Sequence, residues 1–136
     1  MCKLGDIIVI KEFKGEDGVL VKRHSFIVID DNHDEIKGLE YDFVAPIMSS
    51  FKDKEHKKKI LSYDVNTEIT NKNIEGKFSL KKPSYVKTNK LYYFNKKKIE
   101  YKVLARINDD YLDELVKIIL SLDEKDRISI ITTNLE

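Results

Sequence analysis

The chain has a single cysteine, Cys2, so no disulfide can form within it, and nothing in it calls for an oxidising compartment. Cys2 also sits where anchoring is usually poor, which argues against a nucleophilic thiol. No apolar run approaches the roughly 20 residues that a spanning helix needs. Met1-Cys2-Lys3-Leu4-Gly5-Asp6 lacks the basic, apolar and small-residue sections of a secretion signal, and the cytoplasm is the expected compartment. A Gly-rich phosphate loop and a Ser-His-Asp hydrolase signature are both missing. His33 has Asp30, Asp31, Asp34 and Glu35 around it, but their spacing matches neither a zinc site nor an EF-hand. No metal and no cofactor are expected.

What is present suits one globular domain. The 136 residues are 41% hydrophobic and 36% charged, enough for one modest core under a well-hydrated surface. Net charge is +1, yet the charge is segregated. Residues 1–51 carry six Lys/Arg against ten Asp/Glu; residues 52–102 carry fifteen against six; residues 103–136 carry four against eight. A basic middle between acidic ends can attract a polyanion such as RNA, although Lys-rich loops also serve as plain solubilising surface.

Short β-branched and aromatic runs separated by turn residues predict a small barrel or sandwich. Ile7-Ile8-Val9-Ile10 reads as the first strand, followed by a turn-rich loop from Phe13 to Gly18. Val19-Leu20-Val21 and Phe26-Ile27-Val28-Ile29 read as two strands meeting at a polar junction, Lys22-Arg23-His24-Ser25. Asp30 to Glu35 reads as a loop, and Tyr41 to Met48 as a strand with Pro46 at its end or on an edge. Phe51 to Lys59 reads as a loop or a short exposed helix, and Ile60 to Tyr63 as a strand. Asn66 to Gly76 looks irregular. Phe78-Ser79-Leu80, Ser84-Tyr85-Val86 and Leu91 to Phe94 read as further short strands. Leu112, Leu115, Val116, Ile119 and Leu122 mark one helix at about 108–122, with Asn108 as N-cap and its apolar stripe over the barrel. Arg127 to Thr133 fits a final strand or an extension of that helix.

The polar junction is the candidate site. Arg23 offers a fork for phosphate oxygens, His24 a group that exchanges protons near neutrality, and Ser25 a hydroxyl. Ser49 or Ser50 could add a hydrogen bond to the same phosphate. Together these suffice for cutting RNA without a metal, where the substrate's 2′-hydroxyl attacks the phosphorus. Lys52, Lys54, Lys81 and Lys82 supply positive charge for substrate binding. Tyr92, beside Tyr93 and Phe94, is available to stack on a base, or else fills the core. One geometric condition applies. Arg23 and His24 point to opposite faces of a regular strand, so they converge only if Lys22 to Ser25 forms a turn or bulge.

Several segments occur in a familiar order: Gly5-Asp6-Ile7-Ile8-Val9, the Arg/His junction before Phe26-Ile27-Val28-Ile29, Ala45-Pro46-Ile47-Met48-Ser49, Leu80 to Val86, and Ala105-Arg106-Ile107 before the helix. This order resembles the MazF/PemK family of bacterial toxin–antitoxin toxins from about Gly5 to Leu122. The resemblance implies an SH3-like barrel over about 5–107, the helix at 108–122 and a C-terminal extension at 123–136. It also implies a homodimer and a metal-independent endoribonuclease that cuts single-stranded mRNA and is held off by a cognate antitoxin protein. Against the family pattern, His24 stands where Arg lies, Ser25 where Pro lies, Met48 where Thr lies, and Tyr92 where a late Arg lies. Either the catalytic cluster is rebuilt around Arg23, His24 and Ser49, or activity is weak or absent and the chain is an SH3-like RNA- or protein-binding module. A structural dimer without a nucleic-acid role is the third reading.

Overall fold

The computed structural model describes residues 2–136. The first hairpin joins strand β1 (Asp6–Lys14) to β2 (Leu20–Ile27). Gly18 holds a φ of +81° in the connecting turn, a conformation that a side chain would disfavour. A small hairpin follows, β3 (Asp34–Ile36) and β4 (Leu39–Tyr41), then β5 (Phe43–Ser50) and helix α1 (Lys54–Leu61). After β6 (Asn66–Ile69), β7 (Ile74–Glu75) and the long β8 (Ser84–Phe94), β9 (Tyr101–Ile107) leads into α2 (Asp109–Glu124) and β10 (Ser129–Ile131). The main sheet runs β10-β8-β5-β2-β1-β9-β7, and β6 also pairs with β8. All its pairings are antiparallel except β10 on β8. The fold is therefore mainly β with a C-terminal helix. No helix among the described residues is long and apolar enough to cross a membrane.

Strand alternation divides the sheet into two buried faces. Ile8, Ile10, Phe26, Phe43, Ala45, Ile47, Tyr92 and Phe94 gather on one face. The sheet curls around them, so that Phe43 on β5 and Tyr101 on β9 come within 6.1 Å between ring centroids. Ile7, Ile27, Met48, Val86 and Ile107 gather on the other face, beneath Tyr111, Leu112 and Leu115 of α2. The helix begins as its sequence predicts: the Asn108 side chain accepts the Tyr111 N–H at 2.8 Å.

Several boundaries differ from the sequence expectation; the expected loop from Asp30 to Glu35, for one, runs into strand β3. Lys22 to Ser25 is no junction but the middle of one continuous strand, because β1 pairs with it in unbroken register: Glu12 faces Lys22, Ile10 faces His24 and Val9 faces Ser25. Ile60 and Leu61 end α1 rather than open a strand. Asp53 caps that helix through the His56 N–H at 2.7 Å, and Asn66 donates to the Ile60 carbonyl at 2.9 Å. The Asn66–Gly76 stretch contains β6 and β7, while Phe78 to Leu80 is not a strand; the Leu80 N–H is held by the Asn71 side chain at 2.8 Å. Ser84 to Phe94 is one strand, not two, with Thr88 fully buried and bonded to Val65.

Residues after β10 fasten the curl. The Asn134 amide accepts from the Lys14 N–H at 2.6 Å and donates to the Lys14 carbonyl at 2.8 Å, imitating a strand partner for the end of β1. Thr133 donates to the Gly15 carbonyl at 2.9 Å, and Leu135 is buried beside Ile119 and Leu91.

Candidate nucleic-acid interface

The face under α2 continues past the helix into an open cleft of about 710 Å³. Parity explains what lines it. Ile27 of β2 packs beneath α2, so Ser25 and Arg23, two and four residues earlier, present the same face beyond the helix. Val9 pairs with Ser25 from β1. On β5, Met48 belongs to the α2-facing core and Ser50 follows it. Leu104 closes the side at β9. The irregular stretch carrying Phe78, Leu80, Lys81 and Lys82 forms the opposite wall, with Ser84 at its end.

The cleft thus draws Arg23, His24, Ser25, Ser49, Ser50, Lys81 and Lys82 together from three distant parts of the chain. Arg23, Lys81 and Lys82 are exposed, and no Asp or Glu is in the wall. Among the described residues none of these three cations is engaged in an ion pair. Their charge is therefore available to an anion. Of the cleft serines, Ser84 spends its hydroxyl on the protein, donating to the Lys82 carbonyl at 2.9 Å.

His24 and Ser49 belong to the other parity and border the cleft from there. Because β2 is regular, the imidazole shares a face with Ile10 and Phe26, opposite Arg23 and Ser25. Its ring meets the edge of Phe13 at 5.8 Å between centroids, and its Nδ1 lies 2.9 Å from the Lys22 carbonyl. A carbonyl oxygen only accepts, so this contact needs a proton on Nδ1 and leaves the lone pair of the neutral ring on Nε2. The condition for Arg23 and His24 to converge through a turn or bulge is not met: both residues line the cleft, but their side chains leave the strand in opposite directions.

The remaining expected site residues lie elsewhere. Tyr92 is core, enclosed by Phe26 at 5.4 Å, Phe13 at 5.7 Å and Phe94 at 5.9 Å. Burial raises its phenol pKa, and it has no face free for a base. Lys52 and Lys54 are exposed and outside the cleft wall. They are carried beside it, since the Phe51 N–H bonds the Pro83 carbonyl at 3.0 Å. His33 contacts Asp42, and His56 accepts the Lys52 N–H at 3.0 Å. No group of residues able to hold a metal occurs among the described residues.

Sequence reasoning missed the apolar part of the site: Val9, Phe78, Leu80 and Leu104. A second, smaller cleft of about 390 Å³ adjoins the first across Leu80, Lys81 and Lys82, and is lined beyond them by Lys57, Glu68, Thr70 and Asn71. Glu68 is neutralised there by Lys57 at 2.7 Å. No family model matches the chain, and no curated protein matches it.

Proposed function

We propose that this chain binds single-stranded RNA in the cleft and cleaves it without a metal, as a cytoplasmic toxin of the MazF/PemK kind would. The observation that carries the reading is the assembly of Arg23, Lys81, Lys82, Ser25, Ser49 and Ser50 around one cleft whose wall has no carboxylate. Guanidinium and ammonium groups neutralise the phosphodiester, and the serine hydroxyls donate to its oxygens. In cleavage, the 2′-oxygen bonds to phosphorus, its proton passes to a base, the P–O5′ bond breaks and O5′ takes up a proton. His24, with Nε2 free, is the proton carrier at the cleft's border; Arg23 stabilises the added negative charge. A cognate antitoxin would act by covering the same cations, and the homodimer implied by the family pattern belongs to this reading.

The test is incubation of the purified chain with single-stranded RNAs of varied sequence in excess chelator, with analysis of the product ends. A cyclic phosphate on one fragment and a 5′-hydroxyl on the other is expected. Arg23→Ala should lose binding and cleavage together, and His24→Ala should lose cleavage while binding persists. RNA left intact and unbound at low salt would overturn the proposal. A second reading, binding without cleavage, is favoured by two observations: the His24 ring turns toward Phe13, and the apolar Met48 occupies the position where the family pattern has a hydroxyl. Under that reading RNA is retained and stays whole.

A further inference from the structure

We propose that the cleft contains a slot for one unpaired nucleobase of the bound RNA strand, with Met48 at its base and Leu104, Phe78 and Leu80 at its sides. This rests on the RNA-binding reading and adds what sits between the phosphates. A site for phosphates alone needs cations and hydrogen-bond donors. This cleft has in addition an apolar interior, because it is the open margin of the core beneath α2: Met48 is part of that core, and Phe78, Leu80 and Leu104 pack against it while remaining only partly buried. The cations stand at the rim, Arg23 on β2 and Lys81 and Lys82 on the opposite wall. An apolar interior under a cationic rim complements a planar base attached to a phosphate. The volume of about 710 Å³ lies within the about 300–1,000 Å³ of small-molecule sites.

Phe78 is the discriminating residue. It is partly buried, lies outside any strand and lines the cleft. An aromatic face in that position stacks on any base, which makes the slot tolerant of sequence but intolerant of a missing base. Met48, read from the family pattern as a lost hydroxyl, acquires a role of its own here. Its flexible thioether chain conforms to a flat ring.

The experiment measures binding of short, fluorescently labelled 2′-O-methyl RNA, which lacks the attacking hydroxyl and stays intact. A series carries one abasic position, moved along the strand. One position is expected to weaken binding by about five- to hundredfold. Phe78→Ala should bind the intact strand as weakly as the wild-type chain binds that abasic strand. Phe78→Leu, which keeps apolar volume without an aromatic face, should do the same while preserving the circular dichroism of the fold. Abasic strands that bind as tightly as intact ones at every position would overturn the slot and leave RNA binding standing. Failure of every strand to bind at low salt would overturn the RNA reading itself, and the slot with it. A free nucleoside monophosphate that binds the wild-type chain as tightly as the strand does, with the same sensitivity to Phe78→Ala, would overturn the assignment to RNA in favour of a free nucleotide.

Discussion

Removing the two lysines of the cleft wall should change how RNA binding responds to salt, by an amount set by the number of cations in the cleft. Each phosphate neutralised on a single strand contributes about 0.7 to the slope of log affinity against log salt. Arg23, Lys81 and Lys82 together predict a slope of about −2, or about a 20-fold loss of affinity between 50 and 200 mM salt. The double variant Lys81→Gln/Lys82→Gln leaves Arg23 alone, which predicts a slope of about −0.7 and a loss of about threefold over the same range. Both lysines are exposed and, among the described residues, in no ion pair, so the variant should fold as the parent does. Fluorescence anisotropy with a labelled single strand, titrated at four salt concentrations, measures the slopes directly. If Lys52 and Lys54 also touch phosphate, the parent slope steepens to about −3.5 and the double variant keeps about −2. An equal slope in parent and double variant would refute the placement of the strand along this wall.

Two further outcomes test the fold that holds the cleft. Asn134→Ala removes both hydrogen bonds to the Lys14 backbone, leaving a part-buried N–H and carbonyl without partners, and should cost about 2–4 kcal/mol. Thermal unfolding should move down by about 5–15 °C; a shift too small to measure would show that the tail does not fasten β1. Tyr111 donates its hydroxyl to the Glu68 carbonyl at 2.9 Å, and burial pushes its phenol pKa well above the usual 10. Because the folded value is the raised one, its contribution is complete below pH 10 and is lost as pH climbs beyond it. Urea midpoints measured from pH 7 to 11 should fall at the alkaline end, and Tyr111→Phe should reduce that fall while losing about 1 kcal/mol at neutral pH. An unchanged alkaline fall in Tyr111→Phe would assign it to other groups.

Elements whose signal is local were legible in the sequence. The helix follows from its stripe of Leu112, Leu115, Ile119 and Leu122 and the Asn108 cap, because both are properties of adjacent turns. Continuity of β2 was not legible, since Lys22 to Ser25 carries no β-branched residue, and only pairing with Val9, Ile10 and Glu12 makes it a strand. The same holds for β8, where the polar run Lys87 to Lys90 is carried by Val65, β6 and β10. Cations and hydroxyls of the cleft were legible because polar residues beside apolar runs stand out. Val9, Phe78, Leu80 and Leu104 were not, because an apolar residue lining a cleft has the same sequence signature as one filling a core.

That asymmetry bears on how the site divides its labour. Consecutive side chains on a regular strand leave opposite sides of the sheet, so Arg23 and His24, although both line the cleft, reach it from two faces. Arg23 shares its face with Ser25, Met48 and Ser50, and through the cleft with Lys81 and Lys82, which makes it part of the cleft's cationic surface. His24 shares its face with Phe13 and Phe26, and its ring is oriented by the Lys22 carbonyl, which makes its position a consequence of the core. A strand bound along the cations reaches Nε2 only over the edge of β2. In the proposed reaction, binding and proton transfer would be under separate structural control: the first would depend on the rim, the second on how Phe13 sets the imidazole against that edge. A change confined to Phe13, such as Phe13→Leu, should therefore disturb any cleavage far more than it disturbs affinity for the strand. Equal losses in both would mean that the core holds the whole cleft, rather than the histidine, in place.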